Sequence, residues 1–313
     1  MSKRSLVLKA VGLALFVGLF LWASPAEILR GLRSADLGAL ALAGACALAG
    51  VVVKNVRWRY ILALTGGTVR WRDLVPLAFI SAFFGNVTPG RFGDLWKITF
   101  AHSTAYSRSQ FLISFLYDRI LDGCTMALLA LIGVFTVGSF GGASFAGLLA
   151  LVVVVGIAGV VFRAPITRSV ERMIGRYDVS MEDVGRSARS LPLTGAAILL
   201  AHLVFVSLFF ATYHFLFEAV GMDVPPQALI LAGSVAAMAA VLPITVSGLG
   251  TREAVLLYLL EPFYSSPSQV ILAGLLWVFV LTYFLSGIVA LPLWLLGLPR
   301  KPEAPDPELP SGA

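Results

Sequence analysis

Two polar stretches interrupt long apolar segments of this chain, and their residue types suit the binding of an anion. They span residues 86–94 and 247–253, and each combines glycines, an arginine and a carboxylate. Arginine can donate two parallel hydrogen bonds to a phosphate, and glycine lets a ligand approach the backbone closely. The residues that we expect to bind a substrate are Asn86, Thr88, Gly90, Arg91, Gly93, Asp94 and Lys97 around the first stretch and Ser247, Gly248, Gly250, Thr251, Arg252 and Glu253 in the second.

Each polar stretch precedes a short apolar segment that predicts a helix. The free N–H groups and the dipole of a helix start attract anions. Asp94 and Glu253 then fall in the first turn, where they can hold Arg91 and Arg252 in place before a ligand binds. The alternative interpretation is that each arginine and its neighbouring acid neutralise each other and cap a helix. Ionisable groups are costly inside a bilayer, which favours a functional role.

A third polar group lies within a long apolar segment. Asp118 and Asp122 are four residues apart and share a helix face, and Arg119 can reach Asp122 from one turn earlier. We expect these three residues to act in coupling or as a charge relay, either by pairing with Arg91 or Lys97 or by relaying protons. The alternative is an interfacial charge cluster that locks the neighbouring hairpin to this span.

The composition is typical of a polytopic helical membrane protein. Of 313 residues, 58% are hydrophobic and 13% are charged, and the mean hydropathy is +0.90. The net charge of +6 comes mostly from short loops between apolar runs, a pattern that orients membrane proteins, and we do not expect nucleic-acid binding. Cys46 and Cys124 lie in apolar runs without a CxxC motif or a Cys/His cluster, so no metal or cofactor is expected.

The apolar segments predict an all-α polytopic membrane protein with about six full spans and two re-entrant helical hairpins. The pieces of each hairpin are shorter than the roughly 20 residues that a spanning helix needs. The first span resembles a signal peptide in its flanking residues, but many spans follow and we expect it to remain uncleaved. The predicted spans are 6–22, 37–53, 111–137, 145–162, 191–217 and 269–297, and the hairpins are 74–100 and 226–260.

Basic residues indicate how the spans are oriented. Arginines and tryptophans after the second span, and the arginine-rich loop 163–189, indicate the cytoplasmic side. Counting crossings puts both termini in the cytoplasm and makes the two hairpins enter from opposite faces. The halves 37–137 and 191–297 then form an inverted repeat, as in many transporters. If both hairpins crossed fully, loop 163–189 would lie outside. We expect residues 1–301 to form one transmembrane domain and residues 302–313 to form a disordered tail.

The motifs together resemble those of the lysylphosphatidylglycerol synthase transmembrane-region family, also called flippase-like proteins. The resemblance rests on residues 88–94, 118–122 and 243–253 and covers about 5–298. It implies a membrane domain that moves lipids or lipid-linked sugars. Some members carry a soluble domain that transfers lysine to phosphatidylglycerol. Because this sequence ends at Ala313 without such a domain, we do not expect aminoacyl transfer.

The leading hypothesis is a flippase or transporter of the inner (cytoplasmic) membrane. It would move an anionic phospholipid or a polyprenyl-phosphate-linked glycolipid through a polar site at the midplane. The alternative is a membrane-embedded enzyme acting on a lipid phosphate or glycolipid, and a third hypothesis is a non-catalytic scaffold. We assign no catalytic residue, since the sequence shows no familiar hydrolase or nucleotide motif. The expected partner is a membrane lipid, with a homo-oligomer or a biosynthetic enzyme as further partners.

Overall fold

The described part of the chain consists of helices and contains no strand, which confirms the all-α fold class. The computed structural model describes residues 17–18, 20–22, 24–87, 97–98, 106–137, 191–241 and 248–297. The helices are α1 (Pro25–Ser34), α2 (Leu37–Leu64), α3 (Trp71–Val87), α4 (Arg108–Val137), α5 (Leu191–Ala219), α6 (Pro226–Val241), α7 (Thr251–Leu259) and α8, which comprises Pro267–Leu275, the π-helical stretch Leu276–Phe284 and Leu285–Leu295.

In the described part of the chain, four helices are long and apolar enough to cross a membrane, which agrees with a polytopic membrane protein. They are Leu37–Leu64, Gln110–Thr136, Leu193–Ala219 and Pro267–Leu295, and they match four of the predicted spans. The predicted span 145–162, the loop 163–189, the tail 302–313 and most of the span 6–22 lie outside the described residues.

Helix α2 is longer than the sequence predicted. The expected end at Val53 is wrong, because the helix continues without interruption to Leu64. The Asp36 side chain caps its start by accepting hydrogen bonds from the backbone N–H groups of Gly38 at 2.7 Å and Ala39 at 3.2 Å. The 28 residues of α2 span about 42 Å at 1.5 Å per residue. Charged residues in its last third therefore belong to a membrane helix and not to a loop.

Helices α6 and α7 form the second predicted hairpin. They contain 16 and 9 residues and pack against each other. Their lengths of about 24 and 14 Å are each shorter than the roughly 30 Å hydrocarbon core. The turn between them contains Gly248 at φ 76° and Gly250 at φ 87°, a conformation that L side chains rarely adopt. The lengths and the turn agree with a re-entrant hairpin.

The first predicted hairpin is described in part. Helix α3 continues to Val87, so the expected start of the turn at Asn86 is wrong, and Asn86 lies in the last helical turn. Just before α3, the Val69 carbonyl accepts a hydrogen bond from Arg59 Nε of α2 at 2.8 Å. Residues 88–96, which the sequence assigned to the polar turn, lie outside the described part of the chain.

The long helices pack in a crossed pattern between the two halves of the chain. Helix α2 packs along α5, α4 packs against α6, and α8 packs against α3. Gly50 of α2 faces Leu208 of α5, and Arg57 of α2 contacts His202 of α5. The residue numbers therefore increase along α2 where they decrease along α5. These two helices are therefore antiparallel. The largest apolar core joins α5, α6, α7 and α8 through buried side chains that include Phe217, Leu231, Leu256 and Ile271.

We predict that Gly133 on α4 is required for close packing against α6. A Cβ atom at this position would lie 2.7 Å from Leu231 Cβ and 2.9 Å from Leu231 Cα. Gly133→Ala should lower stability by roughly 1–3 kcal/mol through overpacking. Gly123→Ala on the same helix is the matched control: its Cβ would meet open space, and alanine favours a helix over glycine by about 1 kcal/mol. Thermal unfolding in detergent measures both; equal midpoints for the two variants would contradict the packing argument.

Candidate functional site

Arg57 on α2 is the centre of a buried group of charges. Its side chain is 0% exposed. Its Nε and Nη2 donate to Asp118 Oδ1 at 3.0 and 2.5 Å, and Nη1 lies 2.7 Å from Asp122 Oδ1. Nη1 also contacts Nδ1 of His202, whose Nε2 is 2.7 Å from Thr125 Oγ1. One guanidinium group therefore connects α2 with α4 and α5.

Two further cations complete this group, which we call the charge cluster: Lys54, Arg57, Asp118, Arg119 and Asp122. Lys54 Nζ donates to Asp122 Oδ2 at 2.8 Å. Arg119 Nη2 donates to Asp118 Oδ2 at 2.8 Å and lies 3.9 Å from Asp122 Oδ2. Three cations face two carboxylates, so these five residues carry a net charge of +1 (3 − 2). Unlike a fully neutral ion-pair network, the cluster leaves a positive field beside it.

The structure confirms part of what the sequence predicted for the two aspartates. Asp118 and Asp122 share a face of α4, and Arg119 reaches both. The expected partner Arg91 lies outside the described residues. Lys97, the other expected partner, donates to Asn55 Oδ1 at 2.5 Å and stands 4.3 Å from the centroid of a Trp58 ring. A role of the aspartates in coupling or charge relay stays a prediction.

A cavity of about 180 Å³ lies beside the charge cluster. Its lining contains a cationic end, four hydroxyl-bearing residues and several aromatic side chains. The cationic end is formed by Lys54, Asn55, Trp58, Lys97, Asp118 and Arg119, the hydroxyl-bearing residues are Ser81, Thr212, Thr282 and Ser286, and the aromatic wall is formed by Phe111, Phe115, Phe205, Phe209 and Trp277.

The aromatic wall begins at the charge cluster. Lys54 Nζ and Arg57 Cζ each lie 5.1 Å from the centroid of the Phe205 ring, a distance typical of cation–π contacts. Phe209 follows one helical turn later and lies 5.6 Å from Trp277, ring centroid to ring centroid. Trp277 in turn stacks on Tyr213 at 4.3 Å. Aromatic rings thus connect α5 with α8 along one side of the cavity.

The π-helical stretch of α8 also lines the cavity. In a π-helix the hydrogen bonds run between residues five apart, which makes the helix wider than an α-helix. Trp277, Leu281 and Thr282 of this stretch line the cavity, as does Ser286 just after it. Single π turns occur frequently at functional sites.

Arg252 and Glu253 form a second buried ion pair on the far side of Trp277. Arg252 Nε donates to Glu253 Oε1 at 3.1 Å, and its Nη2 contacts the same carboxylate oxygen and donates to the Gly274 carbonyl at 3.0 Å. Glu253 Oε2 accepts the backbone N–H of Gly250 at 2.6 Å. The arginine Cζ lies 5.9 Å from the Trp277 ring centroid. A Cβ atom at Gly274 would collide with the Glu253 side chain.

At the start of α7, Arg252 and Glu253 neutralise each other and Glu253 caps the helix. This arrangement matches the alternative interpretation of the second polar stretch, in which the arginine and the acid have a structural role. Glu253 lies in the first turn of α7, as predicted, and Thr251 Oγ1 donates to the Gly248 carbonyl at 3.1 Å. Arg252 is not among the described residues that line the cavity. Its binding of a substrate stays a prediction. Thr88, Gly90, Arg91, Gly93, Asp94, Ser247 and the side chain of Asn86 lie outside the described part of the chain.

Sequence reasoning missed Lys54, Asn55 and Arg57 as site residues. It placed Lys54 and Arg57 at a cytoplasmic interface and made no prediction for Asn55, whereas Arg57 and Asn55 are buried and Lys54 lines the cavity. One signal could have found them. Lys54 and Arg57 are three residues apart, so they present two cations on one helix face, as Asp118 and Asp122 present two anions. Arg59 does fit the predicted position at the membrane interface. Its Cζ lies 4.1 Å from the centroid of a Trp71 ring, and Trp71 is exposed.

Comparison with known protein families agrees with the resemblance of the motifs. The family model described as "Lysylphosphatidylglycerol synthase TM region" matches residues 9–289. The match contains α1 to α7, most of α8, the charge cluster and the residues that line the cavity. No curated protein matches the chain.

We predict that Arg57→Ala destabilises the fold because it leaves two buried carboxylates without their shared partner. Breaking a buried ion pair from one side costs about 3–5 kcal/mol. Adding Asp118→Asn removes one of the two carboxylates that have lost Arg57, so the double variant should recover about 1–3 kcal/mol relative to the sum of the single changes. Thermal unfolding in detergent measures the cycle, with Arg72→Ala, an exposed position, as the control. Strict additivity of the two changes would contradict the assigned pairing.

Proposed function

Because this chain belongs to the lysylphosphatidylglycerol synthase transmembrane-region family, we propose that it moves an anionic lipid across the inner membrane. The lipid is an anionic phospholipid or a polyprenyl-phosphate-linked glycolipid. Its head group enters the cavity beside the charge cluster while its hydrocarbon chains stay in the bilayer. Both termini face the cytoplasm in this proposal.

The observation that carries the proposal is the cationic end of the cavity. Lys54, Lys97 and Arg119 line the same cavity, with Asp118 as the acidic residue among its described lining residues. Ionisable groups within membrane spans usually face water-filled paths or substrates. Lysine and arginine are the side chains that recognise phosphate. These cationic side chains can therefore bind a phosphate of the head group, which the hydrocarbon region of the bilayer cannot do.

The size of the cavity fits a head group and excludes the hydrocarbon chains. Its volume is about 180 Å³. Sites that enclose a drug-sized molecule measure about 300–1,000 Å³. A phosphate with one small substituent can occupy the space, but long chains cannot.

The crossed packing of the helices supports the proposed inverted repeat. In a two-fold arrangement the first span of one half meets its counterpart, and the hairpin of each half meets the last span of the other. The pairs α2 with α5, α4 with α6, and α3 with α8 follow this scheme. Inverted repeats that surround a site near the midplane are a common design of transporters.

Asp118 provides a route for releasing the head group. The carboxylate binds Arg57 on one oxygen and Arg119 on the other, and it lines the cavity. A phosphate that draws Arg119 toward itself competes with Asp118 for that cation. Because the carboxylate remains in place, it recovers the arginine when the head group leaves. We propose that the hairpin arginines Arg91 and Arg252 guide the head group to and from this position.

We predict that Lys97→Gln slows lipid movement about tenfold or more, because a charge-assisted hydrogen bond contributes about 1.5–3 kcal/mol and 1.4 kcal/mol is a factor of ten. Purified protein is reconstituted in vesicles with fluorescent phosphatidylglycerol or a fluorescent polyprenyl-phosphate sugar, and dithionite bleaching measures transfer between leaflets. Arg72→Gln makes the same change of charge at an exposed residue and should leave the rate unchanged.

Other outcomes separate the alternatives. Protein-free rates for both lipids with wild-type protein would overturn lipid movement. Conversion of either lipid to a new product, detected by mass spectrometry, would establish an enzyme in its place. Loss of a copurifying partner in Lys97→Gln, with transfer unchanged, would favour a scaffold.

A further inference from the structure

The two halves of the chain contain helices with matching boundaries. Helix α2 ends at Leu64 and α5 at Ala219, which is 155 residues later (219 − 64). Helix α3 begins at Trp71 and α6 at Pro226, again 155 residues later (226 − 71). The last spans, α4 and α8, begin 159 residues apart (267 − 108). A residue of α2 or α3 therefore has its counterpart in the second half 155 positions further along the chain.

The turns after α2 and α5 have the same structure. Each contains a glycine with positive φ, which is 82° at Gly66 and 74° at Gly221. In each half, a glutamine at the start of the last span donates from its Nε2 to a carbonyl of this turn: Gln110 to Thr65 at 2.9 Å and Gln269 to Val220 at 3.1 Å. Because α2 and α5 are antiparallel, the two turns lie at opposite ends of this helix pair. These repeated contacts support the inverted repeat.

Lys97 and Arg252 are also 155 residues apart (252 − 97), and each lies against aromatic side chains of its own half. Lys97 Nζ is 4.3 Å from the centroid of a Trp58 ring. Arg252 Cζ is 5.9 Å from the centroid of a Trp277 ring, and Trp277 stacks on Tyr213. Tyr213 is the counterpart of Trp58, 155 residues later (213 − 58). Arg252 is therefore the cation of the second half that corresponds to Lys97.

The aromatic partners of the two cations lie at different depths. Gly50 of α2 faces Leu208 of α5, so in this antiparallel pair Tyr213 is level with about residue 45 of α2. Trp58 lies about 13 residues further along α2, which corresponds to about 20 Å at 1.5 Å per residue. The middle of α2 lies between these two levels. The two cations are therefore associated with opposite sides of the midplane.

The surroundings of the two cations differ. Lys97 lines the cavity. Arg252 is 3% exposed, and its guanidinium donates to the Glu253 carboxylate and to the Gly274 carbonyl. Trp277 lines the cavity and also lies against Arg252. The indole of Trp277 therefore adjoins both the cavity and the second cation.

We propose that Arg252 is a second phosphate-binding residue, which receives the head group from the Lys97 end of the cavity when the Trp277 side chain changes position. This inference rests on the proposed function, because it adds a second position for the same head group. In transporters with inverted repeats, one repeat rocks against the other. Such a movement exchanges the arrangements of the two halves, so that Arg252 lines the cavity as Lys97 does in this structure. Glu253 keeps Arg252 paired until a phosphate competes for it.

A double variant removes the second cation without leaving a buried charge. Arg252→Gln combined with Glu253→Gln replaces the ion pair by two neutral amides. In the vesicle assay with fluorescent phosphatidylglycerol, we expect transfer to be about tenfold slower, as for the loss of one charge-assisted hydrogen bond. The matched control is Glu27→Gln combined with Arg30→Gln, which removes a surface ion pair of α1 and should leave the rate unchanged.

A binding measurement separates a second position from damage to the first. Native mass spectrometry of the detergent-solubilised protein with added phosphatidylglycerol measures binding without transfer. The double variant should bind the lipid as the wild type does, because the Lys97 end of the cavity is intact. Lys97→Gln should weaken binding and transfer together. Slow transfer with unchanged binding therefore supports a second position, since a general loss of structure would reduce both.

Arg252→Lys provides a second test if the double variant does not fold. It keeps the charge that balances Glu253 but loses the paired donors of the guanidinium group. Transfer should be several-fold slower with binding unchanged.

The remaining outcomes distinguish this inference from the proposed function. Wild-type transfer rates in the double variant, or in Arg252→Lys where that variant replaces it, would overturn the second position and leave the proposed function standing. Loss of binding together with transfer would also overturn the second position, because Arg252 would then support the first. Wild-type protein that binds phosphatidylglycerol without transferring it would overturn the proposed function, and this inference with it.

Discussion

A charge buried in a medium of low dielectric must be compensated by a charge held close to it, and the arrangement of α2, α4 and α5 depends on this constraint. Arg57 lies on α2, its two carboxylates on α4 and His202 on α5. Sliding any of these helices by one turn would separate a charge from its partner. The charge cluster therefore fixes the relative position of three long helices whose apolar surfaces alone would tolerate several registers. The walls of the cavity are held by the same contacts.

The second ion pair connects the hairpin to this framework. Arg252 on α7 binds the Gly274 carbonyl of α8 and lies against Trp277, whose ring also packs on α5. Phe209 and Phe205 continue the aromatic contacts from Trp277 to Lys54 and the charge cluster. A displacement of α7 would thus change the position of Trp277 in the cavity wall. The π-helical stretch, which begins two residues after Gly274, gives this wall a local geometry that a regular α-helix would not provide.

Much of the fold could be predicted from the sequence, because span length and turn residues are local properties. The apolar runs predicted all four spans of the described part of the chain, the polar stretch 247–253 predicted the glycine turn between α6 and α7, and spacing predicted the shared face of Asp118 and Asp122. The site was harder to predict because it depends on pairs distant in sequence. A lysine and an arginine near a helix end look alike whether they face water or a carboxylate on another helix. Only the packing of α2 against α4 distinguishes Arg57 from the superficial Arg59.

In the proposed function, the balance of charge in the charge cluster determines whether a head group is released or retained. A path must attract its substrate strongly enough for entry and weakly enough for exit. Three cations without carboxylates would bind a phosphate tightly and would be costly to bury when empty. Asp118 and Asp122 neutralise two of the three and supply hydrogen-bond acceptors in the absence of ligand. In this proposal, the net positive charge that remains attracts an anion into the cavity. After the anion has left, the two carboxylates pair with the cations again.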